Sequence, residues 1–277
     1  MNHADTLDRY AVMGNPVAHS KSPQIHAQFA AQTQQPLCYD AILVALDDFK
    51  AAVSAFHAEG GRGLNITVPF KQEAWGLADM RTARAERAGA VNTLWWDGQN
   101  TLHGDTTDGV GLVRDLRDNH GLALNKLRIL LVGAGGAVRG VIEPLLAEQP
   151  SELIIANRTA HKAVELAALF KDLGPISGGG FDALAPVPFD LIINGTAAGL
   201  AGEVPPLPTA VVGAKTWAYD MMYATEPTAF VRWALEHGAD QARDGLGMLV
   251  EQAAEAFWIW RGIRPATGPV IAQLRKA

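Results

Sequence analysis

The chain has 277 residues, with 23 Lys and Arg against 29 Asp and Glu for a formal net charge of −6, and 48% of it is hydrophobic against 19% charged. That length predicts two domains with a sizeable core, and the apolar fraction excludes a disordered chain. The acidic balance without a basic run excludes a nucleic-acid surface, the lone Cys38 excludes a disulfide framework or cysteine-rich metal site, and Met1 to Arg9 is polar with no apolar span following, so a cytoplasmic, non-membrane protein acting on a small solute is expected.

The first third alternates strand and helix signals, the pattern of a mostly parallel sheet in an α/β fold. Tyr10 to Met13 reads as a short strand and Pro23 to Gln32 as a helix, with Ser22 as a plausible N-cap and Pro23 at the first helical position. In the connecting Gly14-Asn-Pro-Val-Ala-His-Ser-Lys-Ser-Pro23, Ser20 and Ser22 are two apart. Their hydroxyls can face one way and suit a carboxylate, or they are only a loop residue and a cap. His19 and His26 are too isolated to argue for a metal. A strand around Tyr39 to Val44 and a helix around Leu46 to Glu59 follow.

Asn65-Ile-Thr-Val-Pro-Phe-Lys71 joins a strand to a turn and a helix start. Asn65 and Thr67 alternate onto one face, Ile66 and Val68 onto the other, and Pro69 suits a first helical turn. Lys71 then stands at a helix N-terminus, either as an ordinary surface lysine or, given a partner and a substrate, as a general acid or base. Ala90 to Trp96 and Asn100 to His103 form a hairpin through Asp97-Gly98. Asn92 could bond a polyol or only its own turn, and Asp108 begins a helix and could be only its cap.

From about Gly109 to Asp244 the pattern becomes that of a doubly wound dinucleotide-binding unit. The buried strand Leu127 to Val132 enters Gly133-Ala-Gly-Gly-Ala-Val-Arg-Gly140 and a helix through Leu146. Gly133, Gly135 and Gly136 fit a pyrophosphate turn, although Val138 occupies the last position of the strict glycine pattern. A second strand, Glu152 to Ala156, ends on Asn157-Arg158-Thr159, where an NAD enzyme would carry an acid. Arg158, with Lys162 nearby, favours NADP, the alternative being a solvated helix start. Thr159 to Phe170 and Phe230 to His237 read as helices, Phe189 to Ile193 and Thr216 to Met221 as strands, and Gly178 to Gly180 and Val204 to Pro208 as connectors. Gly245 to Gly262 carries Leu246, Leu249, Val250, Ala253 and Phe257 at helical spacing and is expected to pack back on the first domain. The expected domains are therefore 1–108 with 245–277, and 109–244.

The ordered set Gly14 to Pro23, Asn65 to Lys71, Gly89-Ala-Val-Asn-Thr93, Thr107-Asp-Gly-Val-Gly111, Gly133-Ala-Gly-Gly-Ala137, Asn157-Arg-Thr159 and Asp244-Gly-Leu-Gly-Met-Leu-Val-Glu-Gln252 resembles the shikimate dehydrogenase family. The resemblance implies a two-domain α/β enzyme of aromatic amino-acid biosynthesis that reduces 3-dehydroshikimate to shikimate with NADPH, without a metal. It implies Lys71 and Asp108 as the catalytic pair, and Ser20, Ser22, Asn65, Thr67, Asn92 and Gln252 as substrate ligands assisted by Tyr223. It further implies cofactor contacts at Gly133, Ala134, Gly135, Gly136, Ala137, Asn157, Arg158, Thr159, Lys162, Met221, Gly245 and Met248. The family commonly has Asn where this chain has Thr106, and Asn-Ala-Thr-Ser where it has Asn194-Gly-Thr-Ala197. Thr106 puts the bonding around Asp108 in question, and Gly195 that of the nicotinamide loop. The alternatives are a quinate/shikimate dehydrogenase with dual cofactor use, which tends to carry an acid near the ribose, and a non-catalytic dinucleotide-binding regulator, which should have lost Lys71 or Asp108. Trp258 and Trp260 on the last helix face either a core or a partner subunit, so a monomer or a homodimer is expected.

Overall fold

A computed structural model of the chain describes residues 7–196, 198 and 202–276; Met1 to Thr6 and Ala197 lie outside the described residues. It divides into two compact units, Met1–Gly111 with Leu249–Ala277, and Leu112–Met248. The crossings fall a few residues beyond those expected because each lies inside a helix, Asp108–Arg114 and Leu246–Arg261, rather than at the motif that opens it.

The first unit opens with β1 (Asp8–Gly14), α1 (Ser22–Thr33), β2 (Leu37–Leu43), α2 (Phe49–Ala58) and β3 (Gly61–Ile66). It continues with α3 (Lys71–Leu77), β4 (Met80–Arg81), α4 (Ala83–Ala88), β5 (Thr93–Trp96), β6 (Leu102–Asp105) and the start of α5 (Asp108–Arg114). The sheet order is β2-β1-β3-β5-β6-β4. β1 pairs parallel with β2 and β3, but the hairpin makes β3–β5 and β5–β6 antiparallel, so the sheet is mixed. Its turn is built by Asp97, whose Oδ1 accepts from the amides of Gln99 and Thr101 at 2.8 and 3.0 Å. Period-two alternation sends Ala11 and Met13 of β1 into a core with Leu64, Ile66, Phe49 and Phe70, and Tyr10 and Val12 into a second cluster with Tyr39.

Three local expectations are corrected. Ser22 is the first helical residue of α1, not its cap, and its amide donates to Ser20 Oγ at 3.2 Å. Pro69 precedes α3, which begins at Lys71. β3 ends at Ile66, so Thr67 stands just past the strand.

The second unit holds β7 (Arg128–Val132), α6 (Gly136–Ala147), β8 (Glu152–Ala156), α7 (Ala160–Ala168), β9 (Ile176–Gly179), β10 (Leu191–Asn194), β11 (Trp217–Asp220), α8 (Ala229–Glu236) and β12 (Gln241–Asp244). All its strands are parallel, in the order β12-β11-β10-β7-β8-β9. The chain thus winds outward from β7 in both directions, the doubly wound order with its switch point between β7 and β10. Gly178 and Gly179, expected as a connector, lie in β9. A Cβ on Gly178 would stand 2.2 Å from the Ala163 carbonyl oxygen, so close contact with α7 demands a residue with no strand propensity.

α9 (Leu246–Arg261) then carries the chain into the first unit, followed by α10 (Gly268–Leu274). From Val250 to Phe257 it is buried all round, Glu251, Gln252 and Glu255 included, rather than on one face. Phe257 meets Phe29 at 5.7 Å between ring centroids. Trp260 stacks on Tyr10 at 4.6 Å and donates to the Leu94 carbonyl, whereas Trp258 is 44% exposed.

Candidate active site

In the first unit, Lys71 is the first residue of α3 and its Nζ lies 2.5 Å from Asp108 Oδ2, with side-chain exposures of 14% and 8%. A charge pair so enclosed is stable only if its remaining oxygens and protons find partners. Asp108 Oδ1 accepts from Asn92 Nδ2 at 2.8 Å. Asn92 Oδ1 in turn accepts from the Thr107 amide and the Thr93 hydroxyl, both at 2.9 Å, which orients the amide so that its NH₂ faces the carboxylate. Asn92 Nδ2 also lies 3.2 Å from Gln252 Oε1 on α9. Asn65, at the end of β3, donates to Thr93 Oγ1 and the Asn92 carbonyl at 3.2 Å each. Lys71, Asp108, Asn92, Gln252 and Asn65 therefore form one connected polar group drawn from α3, α5, the turn before β5, α9 and β3. Thr106 is not part of it: its amide donates to Asp105 Oδ1 at 2.7 Å, and Asp108 is oriented by Asn92. Thr67 and Ser20 make no side-chain bond to this group; the Thr67 methyl instead presses on Gly14, where a Cβ would stand 2.3 Å from it.

Sequence reasoning missed Tyr39 and the burial of His26. The Tyr39 hydroxyl donates to Asn65 Oδ1 at 2.8 Å and has the Ser22 side chain as its other polar neighbour, linking the start of α1 to the group above. His26 is fully buried, stacks on the Tyr39 ring at 4.1 Å and 5°, and leaves both ring nitrogens without a hydrogen-bond partner. Burial, opposed only by neighbouring Asn65, pushes its pKa down to about 3. His26 is thus a neutral wedge in an aromatic nest rather than a ligand. Its isolation in sequence gave no sign of that burial.

This burial carries a pH dependence. Below the ordinary histidine value of 6.5 the unfolded chain takes up a proton that the native state refuses down to about 3, so stability falls as pH drops through that window. Denaturant titration should show His26 removing about 2 kcal/mol of stability between about pH 7.5 and about pH 5. His26→Phe should flatten that part of the profile; an unchanged slope would show that other groups produce it.

In the second unit, β7 is followed by Gly133, whose φ of +112° needs glycine, and α6 begins at Gly136 after a Gly135 cap. Free amides at the N-terminus of a 12-residue helix, with nothing within 4 Å of a Cβ at Gly135, suit a pyrophosphate. Ala134 and Ala137 complete this turn. Val138, buried at the departure from the glycine pattern, has Cγ2 only 2.5 Å from where a Gly195 Cβ would lie. The two departures are therefore one packing solution: the valine methyl fills the space that the family's usual alanine would occupy.

After β8, Asn157 Nδ2 donates to the Thr159 carbonyl at 3.0 Å, and exposed Arg158 and Lys162 flank the start of α7. Met221 and Tyr223 stand on the loop after β11, and Gly245 follows β12, where a Cβ would meet the Met221 carbonyl oxygen at 2.4 Å. Met248 is only 6% exposed, within the core of the second unit. The loops after β10 and β11 share an anchor that sequence reasoning missed. Buried Asp220 accepts from Asn194 Nδ2 and the Met222 amide at 3.1 Å each and from the Thr228 hydroxyl at 2.6 Å. Burial raises its pKa. Its position at the C-terminal end of a parallel strand beside the switch point was the available signal.

Three family models match the chain: the shikimate dehydrogenase substrate binding domain over residues 12–94, shikimate / quinate 5-dehydrogenase over 116–180, and the shikimate 5′-dehydrogenase C-terminal domain over 245–275. A shikimate dehydrogenase (NADP(+)) of Alkalilimnicola ehrlichii is 61% identical over 97% of this chain and 98% of its own length. One of Nitrosococcus oceani is 57% identical over 97% and 95%. Among solved structures, shikimate 5-dehydrogenase of Thermus thermophilus in complex with NADP(H) and shikimate superposes with a TM-score of 0.85 at 30% identity, over 98% of this chain and 99% of that one.

Proposed function

The chain belongs to the shikimate dehydrogenase family, and from that membership we propose that it interconverts 3-dehydroshikimate and shikimate with NADP, Lys71 and Asp108 being its acid–base pair. The observation that carries the catalytic assignment is the enclosed Lys71–Asp108 contact of 2.5 Å, tied through Asn92 to Gln252. Bound NADPH supplies the hydride to the ring ketone. Lys71 Nζ, with one proton directed to Asp108, presents the others to the ketone oxygen and delivers one as negative charge develops there. In the reverse direction Lys71 takes the hydroxyl proton as the hydride leaves the same carbon. Asp108 holds the amine in place and balances its charge, and Asn92 keeps that carboxylate turned toward Lys71.

Ser20 and Ser22 receive the substrate carboxylate in this reading, and Asn65, Thr67, Asn92 and Gln252 its hydroxyls, with Tyr223 assisting. Gly133 to Ala137 would hold the cofactor's pyrophosphate, Arg158 and Lys162 beside Asn157 and Thr159 its 2′-phosphate, and Met221, Gly245 and Met248 its nicotinamide end. The β8 end has no carboxylate to repel that phosphate, which favours NADP over dual cofactor use and speaks against the quinate reading. Retention of both Lys71 and Asp108 speaks against a non-catalytic regulator. We assign the protein to aromatic amino-acid biosynthesis in the cytoplasm, as a monomer or homodimer. Steady-state rates with shikimate and quinate against NADP and NAD test the reading: shikimate with NADP should be fastest, and equal rates with quinate would overturn it.

Tyr39→Phe removes only the hydroxyl joining Ser22 to Asn65. It should raise KM for shikimate by about 5- to 10-fold, the worth of one buried hydrogen bond, with kcat changed less than KM. An unchanged KM would show that Ser22 and Asn65 hold their places without it.

A further inference from the structure

Outside the reacting group, the first unit contains a second buried cluster of charge. Arg84, on α4, makes a forked pair with Asp105, Nε to Oδ1 at 2.8 Å and Nη2 to Oδ2 at 2.6 Å. The same Nη2 lies 3.6 Å from Glu255 Oε1 on α9, and Glu255 Oε2 accepts from Arg264 at 2.9 Å. Thr82, which caps α4, gives its hydroxyl to Asp105 Oδ1 at 2.5 Å. Asp105 and Glu255 are both almost fully buried, at 3% and 5% exposure, so their charges require this company.

The position of the cluster matters more than its charge. Asp105 ends β6, its carbonyl accepts the Asn92 amide at 3.0 Å, and its carboxylate accepts the Thr106 amide. It therefore sets the three-residue turn that delivers Asp108. Glu255 lies three residues, one helical turn, beyond Gln252 on α9. We infer that Arg84 is a positioning residue for the reaction: one guanidinium holds the turn bearing Asp108 and the helix bearing Gln252 in register, without touching substrate or cofactor.

The planar fork is essential to this. Lysine can balance one carboxylate, but it cannot hold both oxygens of Asp105 while facing Glu255 from the same plane. Arg84 acts on the proton-transfer end of the site and not on the second unit, so its loss should appear in kcat and in substrate KM and leave the NADP KM unchanged. This inference rests on the assigned reaction, and wild-type turnover of shikimate with NADP, measured in the same assay, reports on that assignment separately.

The test compares Arg84→Met and Arg84→Lys with wild type at a temperature where circular dichroism shows each folded, and repeats Arg84→Met in an Asp108→Asn background. Arg84→Met should lose about ten-fold or more in kcat at constant NADP KM, with Arg84→Lys recovering only part of the loss. In the Asp108→Asn background the further loss should shrink to less than about three-fold, because the group through which Arg84 acts has already been disabled. Wild-type kcat in a folded Arg84→Met, a rise in NADP KM together with the kcat loss, or full additivity with Asp108→Asn would overturn the inference. Should Arg84→Met not fold, Arg84→Lys decides: a reduced kcat at constant NADP KM supports it, and a wild-type kcat with only a lower Tm overturns it.

Discussion

Lys71→Ala should fold and lose about 10²- to 10⁴-fold in kcat for shikimate oxidation, the usual contribution of a positioned general acid or base. The NADP KM should stay within about two-fold, since the truncation removes no group assigned to the cofactor and mainly costs transition-state stabilisation. The same substitution leaves Asp108, 8% exposed at its side chain, without its cation, which should cost about 3 kcal/mol of stability and lower Tm. Asp108→Asn should relieve that cost, because the neutral amide needs no counter-charge, while still lowering kcat. The double variant is the sharper measurement. If the two groups act as a unit, Lys71→Ala with Asp108→Asn will be barely slower than the slower single variant. Multiplicative losses, or a turnover unchanged in Lys71→Ala, would remove the pair from the chemistry.

Arg158→Ala should lower kcat/KM with NADP by roughly 10- to 100-fold, the worth of about 1.5–3 kcal/mol for hydrogen bonds to a charged group. Activity with NAD should change by less than about three-fold, because the truncated side chain meets no phosphate there. Arg158 is exposed at the head of α7, so part of its effect is screened, and the discrimination between cofactors should weaken as salt is raised. Lys162, one turn further along the same helix, should retain part of the preference in the single variant. Parallel steady-state measurements with both cofactors check this, and equal losses with NADP and NAD would move the phosphate contact elsewhere.

Much of the fold was legible because its signals are local. Apolar runs at Ile129–Val132 and Leu153–Ala156 mark largely buried strands, and the glycines between strand and helix mark a turn whose φ of +112° at Gly133 requires glycine. Where the readings failed, a non-local contact had overruled a local preference. Gly178 reads as a connector because glycine disfavours strands, yet the backbone of α7 lies where its side chain would be. Ser22 reads as a cap, yet its side chain faces the Tyr39 hydroxyl on β2. The last helix reads as amphipathic, yet it is buried around most of its circumference, with Glu255 held by Arg84 and Arg264.

The polar residues of the site show the same division. Lys71, Asp108, Asn65, Asn92 and Gln252 could each be singled out from a motif, and Lys71, Asp108 and Asn92 each had an ordinary alternative as a surface, capping or turn residue. Tyr39, Asp220 and Arg84 carried no such motif, since their roles depend on partners far away in the chain. The partners at the two departures are likewise distant in the chain: Asn92 orients Asp108, and Val138 packs on Gly195.

The sequence by itself determined most element types, the doubly wound order of the second half, the absence of an acid at the β8 end and the identity of the chemical groups, because periodicity, glycine turns and side-chain chemistry are properties of short segments. Only the tertiary structure decided which of those groups meet. Lys71 and Asp108 are 37 residues apart and Asn92 and Gln252 are 160 apart, and their distances of 2.5 and 3.2 Å arise from strand pairing and helix packing that no local signal encodes. Burial likewise exists only once the chain has closed around a group, which is why His26 proved to be a neutral wedge and Lys71 half of an enclosed ion pair.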